Sequence, residues 1–216
     1  MRTILLACRT MEDEILGIRQ RKCPELPVVW IPSGLHNVPA NLHACLQQAL
    51  DDLPPVDRVL LAMGACGNSL SGIRCGPFDM IVPKADDCIS LMLGGKGSHV
   101  NTCKGVYFLT AGWLRGERSL MAEYNDAVRK YGEQQGNRIF RSMLRHFTDL
   151  ALLDTGCFDS LAAGKETREI ALRFGLNYRE IPADLSFLEQ LLTGPWPENR
   201  FLSLAPGQTI TSEMLI

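Results

Sequence analysis

The sequence predicts an α/β protein built on a mostly parallel sheet with helices on both faces, a Rossmann-like arrangement. Short, continuous apolar runs alternate with longer segments of helical periodicity, as in residues 59–63 and 39–53. Uninterrupted apolar runs are typical of strands that are covered on both sides. Many end in turns of small residues, such as the one that begins at Gly64. We therefore expect one domain over residues 1–216, with two small lobes (1–104 and 105–216) around a cleft as the alternative.

The same patterns predict the individual elements. The expected strands are residues 3–7, 28–31, 59–63, 80–82, 106–109, 150–153, 178–181 and 201–204. The expected helices are residues 12–21 and 39–53, a short helix from Cys88, two helices within 113–147, one that ends at Phe174, and residues 184–192. Pro39 suits a first helical position, and Gly175 suits a helix C-terminus. The alternation of strand and helix favours parallel neighbours.

Composition argues against two classes of partner. The 216 residues are 46% hydrophobic with a formal net charge of −2, so the basic footprint of a nucleic-acid-binding protein is missing. No apolar stretch approaches the roughly 20 residues that a membrane span needs, and the N-terminus does not resemble a signal peptide. We expect a cytoplasmic protein that binds neither nucleic acid nor membrane. In that compartment the eight cysteines are expected to be thiols, ligands or nucleophiles.

Residues with reactive or ligating side chains follow one predicted strand after another. In open α/β sheets, ligands bind outside the carboxyl ends of the strands. The residues expected at this edge are Cys8, His36, Cys66, Cys88, Thr110, Asp154 and Cys157. Their coincidence at one edge is the main functional signal in the sequence.

Three thiols and an imidazole at one edge predict a metal site. Cys8, Cys66, Cys88 and His36 offer the sulfur and nitrogen ligands that zinc prefers, and three thiolates also suit an iron–sulfur cluster with one iron open to substrate. The chain has no Cys-x-x-Cys pair, so spacing alone does not support a metal. The start of a helix at Cys88 predicts a lowered thiol pKa.

Other side chains are expected to bind substrate or cofactor. The turn with Gly64, Gly67 and Asn68 lets a ligand approach the backbone, although it matches no phosphate-binding motif. Arg9 or Lys84 would pair with a carboxylate or phosphate on a small-molecule substrate. Thr110 and Asp154 would orient that substrate. An apolar, unburied face within residues 113–147 would indicate a homodimer.

Several alternatives use the same residues differently. A metal or cofactor carrier would show a filled coordination shell and no adjoining pocket. Two cysteines across a cleft can exchange a proton with a substrate carbon; the turns at Cys66 and Cys157 bear a faint likeness to those of cofactor-independent glutamate racemases. A cysteine nucleophile beside His36 is a third alternative. Packing is the simplest role for the remaining thiols, Cys23, Cys45, Cys75 and Cys103.

Five short strings carry a resemblance to a known family. They are Leu-His-Asn-Val-Pro from Leu35, Ala-Cys-Gly-Asn from Ala65, Asp-Asp-Cys-Ile from Asp86, Phe-Leu-Thr-Ala-Gly-Trp from Phe108 and Leu-Leu-Asp-Thr-Gly from Leu152. With these strings the chain resembles the DUF1638 family of bacterial and archaeal proteins over nearly its whole length. The family pattern includes a cysteine at the end of the first strand, a Leu-His turn, a Cys-Gly-Asn turn and an Asp-Cys-Ile segment. The resemblance therefore implies a site at Cys8, His36, Cys66 and Cys88.

The chain departs from the family pattern at two places. Met63 and Gly64 stand where the family has tyrosine and glycine, and Asp86 stands where it has histidine. The second change alters the charge beside Cys88. Family members occur in organisms with corrinoid-dependent one-carbon metabolism, so the resemblance implies methyl-group chemistry and a corrinoid, or a corrinoid protein, as cofactor or partner.

Overall fold

The computed structural model describes residues 1–35, 38–95 and 104–215. The strands in these ranges are β1 (Thr3–Cys8), β2 (Val28–Ile31), β3 (Arg58–Ala62), β4 (Asp79–Pro83), β5 (Val106–Leu109), β6 (Asp149–Asp154), β7 (Asn177–Pro182) and β8 (Phe201–Leu204). The helices are α1 (Glu12–Lys22), α2 (Pro39–Asp51), α3 (Cys88–Met92), α4 (Ala111–Leu114), α5 (Leu120–Tyr131), α6 (Glu133–Leu144), α7 (Ser160–Phe174) and α8 (Ser186–Thr193). Each predicted strand and helix has its counterpart, and α4 is an addition.

The strands form two sheets. The larger has the order β2-β1-β3-β4-β8, with β8 antiparallel to β4 and the other pairs parallel. The smaller is parallel throughout, with the order β5-β6-β7. The α/β class and the mostly parallel pairing are thus confirmed, whereas a single Rossmann-like sheet is not. Since β8 returns to the larger sheet, the two sheets do not divide the chain into residues 1–104 and 105–216.

The strand order of the larger sheet creates a crevice at its carboxyl edge. From β1 the chain passes through α1 to β2 on one side, and from β2 through α2 to β3 on the other side of β1. Right-handed crossovers in opposite directions place α1 and α2 on opposite faces. Such a reversal leaves an opening beyond the strand ends, where ligands bind in open α/β sheets. The reversal lies between β1 and β3, the strands that lead to Cys8 and Cys66.

The larger sheet is covered on both faces, as its apolar strands predict. Leu5 and Leu6 are adjacent in β1 and therefore point to opposite faces, yet both are fully buried. On α2, Leu42, Leu46 and Leu50 are buried at four-residue spacing, which turns one helix stripe toward this core. Truncating a fully buried leucine such as Leu46 to alanine costs about 2–5 kcal/mol.

A second core fills the space between the smaller sheet and α5, α6 and α7. The rings of Tyr124, Phe140 and Phe174 lie 5.4 to 5.7 Å apart, edge to face or stacked. On β6, Leu150 belongs to this core whereas Leu153 packs into the core of the larger sheet. The smaller sheet therefore packs against the larger one through its other face. Within the described ranges, none of the helices has both the length and the apolar character needed to cross a membrane.

A candidate thiol site at the sheet edge

Three of the predicted cysteines meet at the carboxyl edge of the larger sheet. Cys8 is the last residue of β1, Cys66 follows β3, and Cys88 is the first residue of α3 after β4. The Cys88 thiol hydrogen-bonds with the thiols of both Cys8 and Cys66. All three line the same cavity. The thiols thus form a row, with Cys88 in the middle.

Close backbone packing holds Cys66 beside Cys88. The backbone N–H groups of Ala65 and Cys66 donate to the carbonyls of Ala85 and Asp86, at 2.9 and 2.8 Å. A Cβ atom on Gly64 would lie only 2.3 Å from the Asp87 Cα. Only glycine permits this approach between the two turns, so residue 64 is a structural requirement of the thiol row.

The turn that carries Cys66 is conformationally strained. Cys66 has a φ of +37° and Asn68 a φ of +68°, a region in which residues other than glycine are uncommon. The Ser69 hydroxyl closes the turn by donating to the Ala65 carbonyl at 3.0 Å. Strained backbone of this kind costs about 1–3 kcal/mol and is concentrated at functional sites.

The Cys88 pKa is raised, contrary to the prediction of a lowered value. The largest cause is its hydrogen bond with Cys66, and burial acts in the same direction, whereas the Cys8 hydrogen bond lowers it. Helix α3 has five residues, too few for a strong dipole. Asp87 caps this helix because its Oδ1 accepts from the Ser90 N–H and hydroxyl, both at 2.8 Å.

Cys8 also has a raised pKa. The hydrogen bond with Cys88 is the main cause, followed by burial of the Cys8 side chain. The Thr10 hydroxyl lies 3.1 Å from the Cys8 sulfur and acts in the opposite direction. Cys8 and Cys88 are therefore neutral thiols near neutral pH, and both would lose a proton on binding a metal.

The cavity beside the thiols has a volume of about 220 Å³. It lies between the two sheets, since both contribute to its wall. Its remaining lining residues are Thr10, Pro32, Leu35, Leu42, Met63, Asp87, Ile89, Met92, Tyr107, Phe108, Thr110 and Trp113. The wall is mostly apolar, and among the described residues it contains no lysine or arginine.

Thr110 reaches this cavity as predicted, but its hydrogen bonds are internal. Its hydroxyl donates to the Thr10 carbonyl and accepts from the Trp113 N–H, each at 3.2 Å. The second bond caps α4, and the first joins the start of α4 to the residues that follow β1. The hydroxyl hydrogen is already donated, so Thr110 can offer a substrate only a shared acceptor.

The predicted residues that follow β6 do not reach the cavity. Asp154 is exposed, and its Oδ1 accepts from the Ser160 hydroxyl at 2.6 Å and the Gly156 N–H at 3.1 Å. The Cys157 thiol lies against Gly17 of α1. Neither residue lines the cavity, so Cys157 and Cys66 do not face each other across it. The reason is the second sheet, in which β5 rather than β6 borders the cavity.

The predicted cationic and backbone contacts also lie elsewhere. Arg9 is exposed over the Trp30 ring, 5.9 Å from its centroid. The backbone N–H of Lys84 donates to the Arg200 carbonyl. Gly67 and Asn68 are exposed, and Asn68 accepts from the Ser212 hydroxyl at 3.3 Å. None of these four residues lines the cavity, and neither does Gly64.

The predicted metal ligands are only partly described, and the metal site stays a prediction. His36, the fourth predicted ligand, lies outside the described residues, as do Lys96 and Cys103. In residues 1–35, 38–95 and 104–215, no three cysteine, histidine or carboxylate side chains are arranged to hold a metal ion. The three thiols contact one another in a row and are not grouped around a common centre.

Two features of this region were not predicted from the sequence. The aromatic wall of the cavity comes from Tyr107, Phe108 and Trp113, and only the strand ending at Leu109 hinted at it. Glu14 on α1 is fully buried; its Oε1 accepts from the Thr155 hydroxyl at 2.9 Å, and its Oε2 has no hydrogen-bond partner among the described residues. Burial raises the Glu14 pKa. A glutamate in a first helical turn is ordinary in sequence, so nothing marked this one.

Comparison with known proteins identifies the family but not the activity. Searches of curated proteins and of solved structures gave no match. The family model described as "Protein of unknown function (DUF1638)" matches residues 30–192. This range includes Cys66, Cys88 and most of the cavity wall, and it covers well over half of the chain. The chain therefore belongs to the DUF1638 family.

Proposed function

We propose that this protein is an enzyme in which a soft metal centre, zinc or an iron–sulfur cluster, is held by Cys8, Cys66 and Cys88 and acts on a small molecule in the adjoining cavity. One observation carries the proposal: three thiols from three separate strand ends line one cavity at the carboxyl edge of a parallel sheet. This is the edge at which α/β enzymes place their chemistry.

The three donors are of the type that a soft metal prefers, and their side chains would have to turn from the row toward a common centre to hold it. Thiolates are the preferred protein ligands of zinc and of iron–sulfur clusters. Because the thiols of Cys8 and Cys88 are neutral and hydrogen-bonded within the row, binding must release their protons, and metal affinity should increase with pH. When bound, such a centre supplies Lewis-acid or nucleophile activation.

The cavity supports an enzyme over a carrier. A carrier needs only a closed coordination shell, whereas a catalytic centre needs space for substrate next to it. The space of about 220 Å³ adjoins the thiols directly. Its wall comes from residues of both sheets. Methyl transfer linked to a corrinoid remains a more specific prediction, which rests on the family resemblance.

The first test is metal content in protein purified without oxygen, measured with a visible absorption spectrum. Wild-type protein should carry roughly one equivalent of zinc, or iron with a charge-transfer band. The variants Cys8→Ser, Cys66→Ser and Cys88→Ser should each lose it. Cys157→Ser is the matched control, since Cys157 is partly buried but lines no part of the cavity, and this variant should keep its metal.

Two results would contradict the proposal. Metal that persists in all three cavity variants would place the centre elsewhere in the chain. Wild-type protein that neither contains nor takes up zinc or iron would leave three bare thiols. The chemistry to test would then be thiol-mediated proton exchange on amino and hydroxy acids, the metal-free alternative that the same residues allow.

A further inference from the structure

We infer that the ligand of the cavity is an uncharged, largely apolar small molecule. This inference rests on the proposed function for the role of the thiols, and it adds the substrate class. The class follows from the wall of the cavity alone. It differs from the carboxylate or phosphate substrate that Arg9 and Lys84 suggested in the sequence.

The described part of the wall offers no counter-charge for an anion. Among the described lining residues there is no lysine, arginine or histidine. The charged member is Asp87, which repels anions and whose Oδ1 already accepts two hydrogen bonds from Ser90. Moving a carboxylate from water into such a site without a partner costs several kcal/mol.

The remaining polar groups of the wall bind one another. Thr110 bonds the Thr10 carbonyl and the Trp113 N–H, the Thr10 hydroxyl contacts the Cys8 sulfur, and the Tyr107 hydroxyl interacts with the Trp113 side chain. A site built for a strongly polar ligand leaves donors or acceptors directed into the space, because they would otherwise be unsatisfied. Among the described lining residues, the thiols offer the cavity weak, soft hydrogen-bonding groups.

The size of the space limits the ligand. About 220 Å³ lies below the roughly 300–1,000 Å³ of sites for drug-sized ligands. It exceeds the ~150 Å³ of a leucine-, isoleucine- and phenylalanine-lined cavity that binds benzene. The side chains of Met63, Met92 and Phe108 give this cavity a similarly apolar wall. A ligand of one ring, or of comparable aliphatic size, fits both limits.

Three one-ring probes of similar size and different charge test the inference: toluene, benzoate and benzylammonium. Each is titrated into full-length, zinc-free protein, and binding is followed by NMR of methionine methyl groups labelled with carbon-13. Met63 and Met92 line the cavity, whereas Met121 and Met143 lie outside its wall and serve as internal controls. Toluene should shift the Met63 and Met92 signals, and both charged probes should bind at least about tenfold more weakly because their charges lose hydration.

Variants of the wall confirm the location. Ile89→Phe adds volume at the cavity, and Ile139→Phe makes the same change on α6 away from it. Toluene binding should weaken at least about tenfold in the first variant and stay unchanged in the second. If Ile89→Phe does not fold, the charge series on wild-type protein decides by itself.

Each contrary result has a definite meaning. Benzoate binding as tightly as toluene would overturn the inference, as would benzylammonium binding most tightly, since Asp87 would then define a cationic site. Toluene shifts confined to Met121 and Met143 would overturn it by location. The probes are titrated into zinc-free protein, so their result can be interpreted even if the metal proposal fails. If toluene does not bind, the inference about the ligand fails, and the metal content is still judged by its own measurement.

Discussion

The carboxyl edges of the two sheets have different roles. At the edge of the larger sheet, three strand ends bring Cys8, Cys66 and Cys88 into one thiol row beside the cavity. At the edge of the smaller sheet, Thr110 reaches the cavity but Asp154 and Cys157 do not. The same rule about strand ends predicted both groups. It succeeds for the larger sheet and for the residue after β5, and it fails for the residues that follow β6.

The difference lies in what each set of side chains contacts. In the first edge the turns after β3 and β4 bond to each other, so their side chains share one space. In the second edge the polar groups bond along the chain, as Asp154 does with Gly156 and Ser160, or to α1, as Thr155 does with Glu14. The larger sheet therefore carries the candidate chemistry. The smaller sheet supplies part of the cavity wall, and the turn after β6 contacts α1.

The largest effect should come from adding one methyl group to the first edge. Gly64→Ala places a Cβ 2.3 Å from the Asp87 Cα, so the two turns must separate. We expect the free energy of unfolding to fall by at least about 3 kcal/mol, measured by urea denaturation. If the variant does fold, metal and toluene binding should both fall, because Cys66 moves away from Cys88.

The matched change in the second edge is Gly156→Ala. Gly156 has a φ of +66°, and among the described residues no atom beyond its chain neighbours lies within 4 Å of the position that an alanine Cβ would take there. The cost is therefore limited to the left-handed backbone, about 1–2 kcal/mol. Metal and toluene binding should be unaffected. Equal destabilisation by the two substitutions would mean that the first edge is not tightly packed, and the comparison between the edges would fail.

Local sequence signals predicted most of the fold and the centre of the site. Apolar runs and their turns located the strands. The rule that ligands bind at the carboxyl ends of parallel strands placed Cys8 and Cys66 together, and it held because β1 and β3 are neighbours. The division into two sheets was not predictable, since a run such as residues 150–153 does not reveal which strands it will join. Pairing between distant segments depends on tertiary packing, and so did the roles of Asp154 and Cys157.

The unpredicted behaviour of buried groups has the same cause. Cys88 begins a helix, which alone would lower its thiol pKa, but contact with Cys66 reverses the sign. Glu14 resembles any first-turn acid until α1 packs against the turn after β6. In both cases the decisive neighbour is far away in sequence, and no local pattern encodes it.

The contact between α1 and the turn after β6 should give an effect of intermediate size. Glu14→Gln removes a buried charge whose Oε2 has no partner among the described residues and should stabilise the protein by about 1–3 kcal/mol at pH 8. Because the folded-state pKa of Glu14 is raised, folded protein binds more protons than unfolded protein. Its contribution to stability is therefore greatest at low pH and is lost as pH rises through that pKa.

Urea denaturation from about pH 4, the ordinary range of glutamate, to pH 8 checks this sign. The difference between Glu14→Gln and wild type should grow with pH and then level off. Asp13→Asn is the matched control, since Asp13 is the neighbouring acid and pairs with Arg115 at the surface; it should show no such growth. A constant difference across the range would mean that Glu14 is not desolvated, and metal content should stay unchanged in both variants.

The smallest effect should follow from Asp154→Ala. Asp154 is exposed, and the variant loses two hydrogen bonds within the turn after β6, which should cost about 0.5–1.5 kcal/mol. Thr110→Val, at the end of the neighbouring strand, loses the buried bond to the Thr10 carbonyl and the cap of α4, which should cost more, about 1–3 kcal/mol. Urea denaturation gives both values, and metal analysis should show full occupancy in Asp154→Ala. No contact among the described residues links Asp154 to the thiol row. Loss of metal in Asp154→Ala would therefore mean that the edge of the smaller sheet takes part in metal binding after all.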